Sequence, residues 1–575
     1  MRWIISSLCA GLCLVAMGAG ATAIGDKVED ITFKDIRYLP RTLNDFGERK
    51  AFAFLFTQMA DPGNAAALER LKALHAEFAG TGVEVASLNV GVEDTVMETA
   101  QQAIENGYTF TVLKDFHGHC AKALGVEKNG TAVVLGGDRT LRYRGSLDGV
   151  ADAIKAVLAG EAPAQKEGAV EGAVFAMREV PAAAAPVTFT KDIAPIMYKN
   201  CLECHRPGES APFSLKTYGQ VSSRADMIGE VVLEERMPPW YGSRHFGPFI
   251  NERVLMQDEK DKIAQWILAG KPEGEAADLP EAPVYPDSDW KIGEPDLIIE
   301  AEQTEELPAD GFIPYRYVKF PYKFEEDTWV QGLEILPSNP EVVHHANLAY
   351  SQVGEGYEEK FNFLTGRVPG GSPVDLMGPV AMLIPKDSIL LIQIHYVTTG
   401  QVETDRMRIG VRFAKSDVIK QVHFRRIRPE NIAIPAYDPF HEMSAQETID
   451  TDAMVVALFT HMHVRGRDMS FWADYPDGKS EKLLIVPNYS FDWQLAYQYQ
   501  PGSKMFPKGT KVRTVSHYDN STFNPYNPDP TQDVPYGDQT IHEMNDAYVF
   551  YIDQHENLAL KINPANGQVV TQPSK

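Results

Sequence analysis

The chain has 575 residues, 44% of them hydrophobic, five cysteines and a formal charge of -25. That length is enough for several domains, each with its own core. So acidic a chain lacks the basic patches that nucleic-acid phosphates demand and suits an anionic membrane surface poorly, so neither is expected as a partner.

Met1-Arg2, an apolar stretch from Trp3 to Met17 and the small residues Ala21-Thr22-Ala23 predict a signal peptide over 1–23. A periplasmic or secreted protein is the expectation. No later run reaches about 18 uninterrupted apolar residues, so no membrane span is expected. Cys9 and Cys13 leave with the leader, and Cys120 is the one cysteine outside the Cys201/Cys204 motif, so no disulfide framework is predicted. Two stretches rich in Ala, Pro, Glu and Gly, 160–186 and 271–287, read as linkers because they cannot bury enough apolar surface to fold. They divide a multidomain chain into an α/β region (24–159), a helical region (187–270) and an all-β region (288–555), followed by a tail (556–575).

In the first region Ala51–Phe56 and Val83–Leu88 are predicted strands and Asn64–Ala79 a helix. Ala132–Leu135 and Thr140–Arg144 form a closing hairpin around Gly136-Gly137-Asp138. This layout resembles a thioredoxin-like domain of the peroxiredoxin type. Where that family carries its reactive cysteine the chain has Thr57-Gln-Met-Ala-Asp-Pro62, and Thr131-Ala132 stands where it has a cis-proline. Without a thiolate the domain is expected to be redox-silent, a scaffold or docking module. His117, His119 and Cys120 lie close in sequence but fit no defined metal-site pattern.

The second region is read as helical, with helices over Asp192–Asn200 and Asp258–Ala269, the latter capped by Gly270. Between them lies Cys201-Leu-Glu-Cys204-His205, the attachment signature of one covalently bound c-type haem, with His205 reaching the iron. Met237, in Arg236-Met-Pro-Pro-Trp240, is the first candidate for the sixth ligand; Met227, Met256 and His245 compete. The region resembles a small cytochrome c domain.

The third region is dense in short alternating strands, the pattern of tandem β-sandwiches or jelly rolls. A break near Arg428–Ala436 divides it into 288–430 and 431–555. Here lie His344-His345, His395, His461-Met462-His463 and Met544. Imidazoles grouped with a thioether are a copper-ligand set, since soft sulfur favours Cu(I) and imidazole suits both oxidation states. Residues i and i+2 of a strand face the same way, so His461 and His463 can hold one metal. The adjacent His344 and His345 can share one only at a strand end or bulge.

Val343-His-His-Ala-Asn347, Gln393-Ile-His395, Thr460-His-Met-His463 and His542-Glu-Met544 resemble the copper type II, ascorbate-dependent monooxygenases, which include dopamine β-monooxygenase and the peptidylglycine α-hydroxylating enzyme. The resemblance implies two copper ions on two jelly-roll subdomains facing each other across a solvent-filled cleft. His344, His345 and His395 would hold the electron-storing copper. His461, His463 and Met544 would hold the one that meets oxygen and substrate, with Tyr548 lining the substrate site. His517 and His542 are further histidines near that second set. Phe459 stands where the amidating branch places an arginine for a peptide carboxylate, which argues against a glycine-extended peptide. The expected function is C–H hydroxylation of a small-molecule or peptide substrate with O2, with electrons from an external donor entering through the haem. The alternative is a non-catalytic periplasmic electron-transfer or copper-binding or sensing protein.

Overall fold

The computed structural model describes residues 21–570 except 177–178, 210, 286–287 and 353–361. The predicted signal peptide thus lies almost wholly outside the described residues. No helix among them is long and apolar enough to cross a membrane.

The N-terminal region is a seven-stranded sheet covered by helices. Its strands are β1 (Phe33–Asp35), β2 (Pro40–Arg41), β3 (Ala51–Thr57), β4 (Val83–Asn89), β5 (Thr111–Lys114), β6 (Ala132–Gly136) and β7 (Leu141–Gly145), in the spatial order 2-1-5-4-3-6-7. β3 is buried at every position, as its unbroken apolar run requires of a strand covered on both faces. It pairs in parallel with β4 and antiparallel with β6. The helices are α1 (Asn64–Glu77), α2 (Val96–Asn106), a short α3 (His119–Ala123) and α4 (Val150–Leu158). The start and stop of α2 are written in the sequence. Thr95 and Glu98 form a capping box, and Gly107 ends the helix at φ 62.

The second region is helical, with α5 (Ala194–Asn200), α6 (Tyr218–Ser222), α7 (Ala225–Leu233) and α8 (Gln257–Leu268) around Ile193, Met197, Leu202, Ile228, Ile263 and Trp266. Both flanking stretches expected to be linkers are in part straps on their neighbours. Asn129 and Phe175 donate backbone hydrogen bonds to Ala173 and Glu127, which lays the first strap on the N-terminal domain. Phe189 and the Trp266 indole both donate to the Pro272 carbonyl at the second. Composition forecasts the lack of a core, but backbone pairing needs no core.

The C-terminal region is all-β. The strands Arg316–Phe324, Ser388–Tyr396, Val343–Gln352 and Phe363–Arg367 make a four-stranded sheet. Its core is shared with Leu333, Ile384, Ile409 and Val411 from strands of a ten-stranded sheet. A second four-stranded sheet contains His441–Ile449, Thr510–Tyr518, Gly466–Asp474 and Ser480–Val486.

The ten-stranded sheet crosses both predicted halves. Val380–Ile384 pairs in parallel with Lys420–Ile427, which pairs in turn with Asn545–Asp553. Lys420–Ile427 therefore belongs with the C-terminal half, ahead of the predicted break near 428–436. The tail expected from 556 on also has a place, because Leu560 bridges to Val418, Gln568 bridges to Thr328, and Ile562 joins Trp329, Ala381 and Ala414 in a small core. Leu560 and Ile562 pair only through isolated bridges, a pattern too short to stand out from its polar surroundings.

The N-terminal domain docks on the C-terminal half through a few directed contacts. Phe46 stacks on Phe523 at 4.7 Å between centroids, and the Arg41 guanidinium lies 4.2 Å over the same ring while donating to the Phe523 carbonyl at 2.6 Å. Arg37 pairs with Asp519 at 3.3 Å. Phe523→Ala is expected to weaken this docking by about 2 kcal/mol, the scale of a buried aromatic anchor. Limited proteolysis reads the effect as faster cleavage between the domains; unchanged cleavage would sink the assignment of Phe523 as the anchor.

Candidate metal centre

His345 and His395 are direct cross-strand partners on Val343–Gln352 and Ser388–Tyr396, and the register slips between Val343 and His345. That irregularity turns His344 toward the side its neighbour occupies. The three rings stand 5.0 to 5.3 Å apart, and one ring nitrogen from each lies within 4.8 Å of the others. Among the described residues no other group of three His, Cys, Asp or Glu converges in this way.

The hydrogen bonds sort the nitrogens. His344 Nε2 lies 3.2 Å from Asp492 Oδ1 and must carry the proton, because a carboxylate only accepts. Its Nδ1 is therefore bare, 3.0 Å from Nδ1 of His345. Two ligands each about 2.0 Å from one ion stand roughly that far apart. His395 Nδ1 is buried with no hydrogen-bond partner among the described residues.

The second set begins at the end of the strand Ala453–Met462. His461 Nδ1 is 2.6 Å from Gln494 Oε1, whose orientation is set because Gln494 Nε2 donates to the Phe491 carbonyl. His463 Nδ1 donates to the His542 carbonyl at 3.2 Å, and its Nε2 is buried without a hydrogen-bond partner among the described residues. Second partners of this kind fix tautomer and orientation for metal-ligating histidines. Asn545–Asp553 runs antiparallel to this strand with Met462 opposite Asn545. One further step in that register sets the buried Met544 opposite His463, on the face that carries both imidazoles. Glu543, fully buried, accepts from the backbone N–H groups of His463 at 2.8 Å and Arg465 at 2.7 Å, and burial pushes its carboxyl up to about 7.

Burial, reinforced by neighbouring histidines, lowers the pKa of His345 and His463 well below the ordinary value and brings His395 down to about 3. Burial is also the largest cause of the lowering at His461. These imidazoles are neutral at physiological pH, the form that binds a metal. The donor set, two bare buried nitrogens included, fits the expected copper.

The two sets are not separated by a solvent-filled cleft. The His345 and His461 rings are 6.2 Å apart, and Phe491 lies between the sets, stacked on His344 at 4.8 Å and 5.7 to 5.9 Å from His345, His395 and His463. Long-range packing closes what the resemblance leaves open. A cavity of about 190 Å3 adjoins His463.

The other expected residues fall around this centre or apart from it. Tyr548 is buried opposite Phe459, two positions beyond Asp546 on the same face, within an aromatic group that includes Phe363 and Phe424. Asp546, opposite His461, is paired with Arg426. His517 is engaged elsewhere, 2.7 Å from the buried Asp468 and stacked on Phe440. The ring of His542 packs against Gly537, and it is the carbonyl that serves His463. Arg465, two residues past the His-x-His pair, is buried, with Nε on Asn520 and Nη1 on the Ile541 carbonyl. Phe491, Asp492, Gln494 and Glu543 went unforeseen as parts of the centre. Only Glu543 carried a signal, its place between His542 and Met544.

In the helical region Cys201 and Cys204 are free thiols, and burial pushes Cys201 up to about 12. His205 Nδ1 lies 3.1 Å from the Phe213 carbonyl and so donates, leaving Nε2 as the bare nitrogen. A cavity of about 630 Å3 runs beside the same loop, past Glu203, Arg206 and Glu209 to Trp290 and Pro337. Neither cysteine nor His205 lines that cavity, so the fit to a haem rests on the Cys-x-x-Cys-His loop itself and on the bare Nε2 of His205. Met237 lines a cleft with Met97, Trp240, Arg253 and Leu255, and Arg253 also pairs with Glu203 between the two cysteines.

Residues 24–145 match the model of the AhpC/TSA family. With its topology, this makes the N-terminal unit a thioredoxin-like domain of the peroxiredoxin type. Solved structures similar to it include a hypothetical protein from Sinorhizobium meliloti 1021, 22% identical, covering 27% of this chain and 94% of its own, with a TM-score of 0.26. Another is the peroxidoxin BcpB of Mycobacterium tuberculosis, 23% identical, covering 24% of this chain and 97% of its own, with a TM-score of 0.21. No curated protein matches the chain. The domain has no cysteine over Thr57–Pro62, and its one thiol, Cys120, is buried, donates to the Thr32 carbonyl at 3.1 Å and is pushed up by burial.

Proposed function

We propose that this chain is an exported copper-dependent monooxygenase that hydroxylates a C–H bond of a small molecule with O2 and receives electrons through a covalently attached haem. His344, His345 and His395 would hold one copper, and His461, His463 and Met544 the other. Cys201 and Cys204 would carry the haem, with His205 and Met237 as its axial ligands. Copper so held supplies one-electron chemistry with O2, and a c-type haem supplies single electrons. The observation that carries the reading is that His395 Nδ1 and His463 Nε2, one in each set, are buried without a hydrogen-bond partner among the described residues; the third such imidazole nitrogen, His542 Nδ1, adjoins the second set. A buried acceptor left bare costs about 1–3 kcal/mol, and a metal ion removes that cost.

The protein's own groups do the positioning. Asp492, Gln494 and the His542 carbonyl hold three imidazoles in one tautomer each, and Phe491 packs against rings of both sets. The enclosure of His345 and His395 also favours a second reading, a copper-binding or electron-transfer protein without a substrate. The cavity beside His463 supports the enzyme instead.

Copper and iron analysis of the loaded, full-length protein tests the reading. Two coppers per haem iron are expected, falling to one in His461→Ala. Less than one copper in the parent would remove the copper reading altogether, whereas two coppers without oxygen uptake on any substrate would leave the binding protein.

A further inference from the structure

The cavity beside His463 is not built by the all-β region alone. The thioredoxin-like domain contributes Arg37 and Tyr38, and the helical region contributes Tyr241. Arg37 and Tyr38 form the tip of the turn between β1 and β2. Asp35 Oδ1 holds that turn, accepting from the backbone N–H groups of Arg37 at 2.9 Å and Leu39 at 3.0 Å. Tyr38 sits at φ 61, a left-handed conformation that a bulky residue adopts at a cost and keeps only where its surroundings enforce it. The tip is thus driven into the cavity wall rather than left at the surface, and Tyr38 is only 6% exposed.

Arg37 carries the chemistry. Its side chain is 9% exposed, and its Nη1 pairs with Asp519 at 3.3 Å. Its Nη2 is buried and has no hydrogen-bond partner among the described residues. A guanidinium remains charged in any protein, so this donor calls for an acceptor. The other cationic group on the wall, Arg236, is already taken by Glu230 at 2.7 Å and Glu234 at 2.6 Å. Asp492, the one carboxylate on the wall, is 66% exposed and occupied by His344. The rest of the lining is largely aromatic, with Tyr241, Phe491, Trp493 and Tyr526. The volume of about 190 Å3 suffices for a single ring, since a cavity of roughly 150 Å3 takes up benzene.

We infer that this cavity binds a small single-ring carboxylate, its anionic group on Arg37 Nη2 and its ring among the aromatic walls, with one edge toward His463. The inference rests on the reading of the His463 set as the substrate-side centre and names the substrate class for it. It also gives the thioredoxin-like domain a task, as a specificity element that reaches across the domain interface. One guanidinium already shared with Asp519, with the Asp492 carboxyl on the same wall, suits a singly charged carboxylate better than a phosphate dianion.

The test needs neither metal nor turnover, so its outcome is separable from that of the copper analysis. Calorimetric titration of the metal-free, full-length protein compares benzoate with benzamide, a neutral molecule of the same shape, and with phenyl phosphate. Benzoate is expected to bind at least about tenfold more tightly than benzamide, the scale of a hydrogen bond to a charged group. It is also expected to bind more tightly than phenyl phosphate. Arg37→Gln should abolish the preference over benzamide while benzamide binding stays within twofold. If that variant does not fold, protection of Arg37 from phenylglyoxal by benzoate in the parent replaces it. Equal binding of benzoate and benzamide, a preference that survives in Arg37→Gln, or no protection would overturn the inference. Tighter phenyl phosphate binding would overturn the choice of carboxylate.

Discussion

Glu543→Ala is expected to lower the stability of the C-terminal half by about 3 kcal/mol or more, at roughly 1–3 kcal/mol for each buried donor left without an acceptor. The Glu543 carboxyl is fully buried and takes the N–H groups of His463 and Arg465, with that of Met544 a third contact at 3.3 Å. Alanine would also let His463 drift, so metal retention at the second set should fall with stability. Glu543→Gln keeps one acceptor oxygen and should lose about half as much. Denaturant titration followed through tyrosine and tryptophan fluorescence makes the measurement, and a loss below about 1 kcal/mol for the alanine variant would show that water replaces the carboxyl freely.

Met544→Ile is expected to reduce turnover by more than about a hundredfold, beyond the 10–100-fold that follows loss of a group merely supporting a metal ligand. Isoleucine is close in volume to methionine, so packing in the buried site opposite His463 changes little and the stability cost should stay under about 1.5 kcal/mol. What goes is the thioether, the soft donor that favours Cu(I). Copper at the His344, His345 and His395 set and the haem absorbance should be unaffected. Oxygen uptake with a competent substrate, measured beside copper content, is the check. Turnover within tenfold of the parent would remove Met544 from the ligand set and leave the two imidazoles to hold the ion alone.

Local signals carried much of the architecture. The unbroken apolar run of Ala51–Phe56 marked a central strand, and the structure sets β3 between β4 and β6 with every residue buried. The period of two put His461 and His463 on one face, and the neighbouring histidines called for a strand end or a bulge; the register shifts between Val343 and His345. Such features depend on a few consecutive dihedrals, so a short stretch of sequence determines them. The segment around Leu560 and Ile562 shows the limit. Its pattern is too short to outweigh its polar neighbours, and it becomes a strand-like clasp only because Val418 and Thr328 offer free edges.

By itself, the sequence determined which donors exist and which could share a face: His344, His345, His395, His461, His463 and Met544 among the ten histidines and several methionines of the all-β region, and a Cys-x-x-Cys-His loop in the helical one. It also determined that the thioredoxin-like domain has no thiol where its relatives react. Tertiary structure alone decided that both histidine sets close on Phe491, that Glu543 and Gln494 hold the second set, and that Arg37 lines a cavity with His463 from more than four hundred residues away in the chain. The reason is physical. Side-chain direction within a strand follows from backbone geometry, whereas the approach of two sheets and a docked domain follows from packing of the whole core, to which each residue adds only a small share.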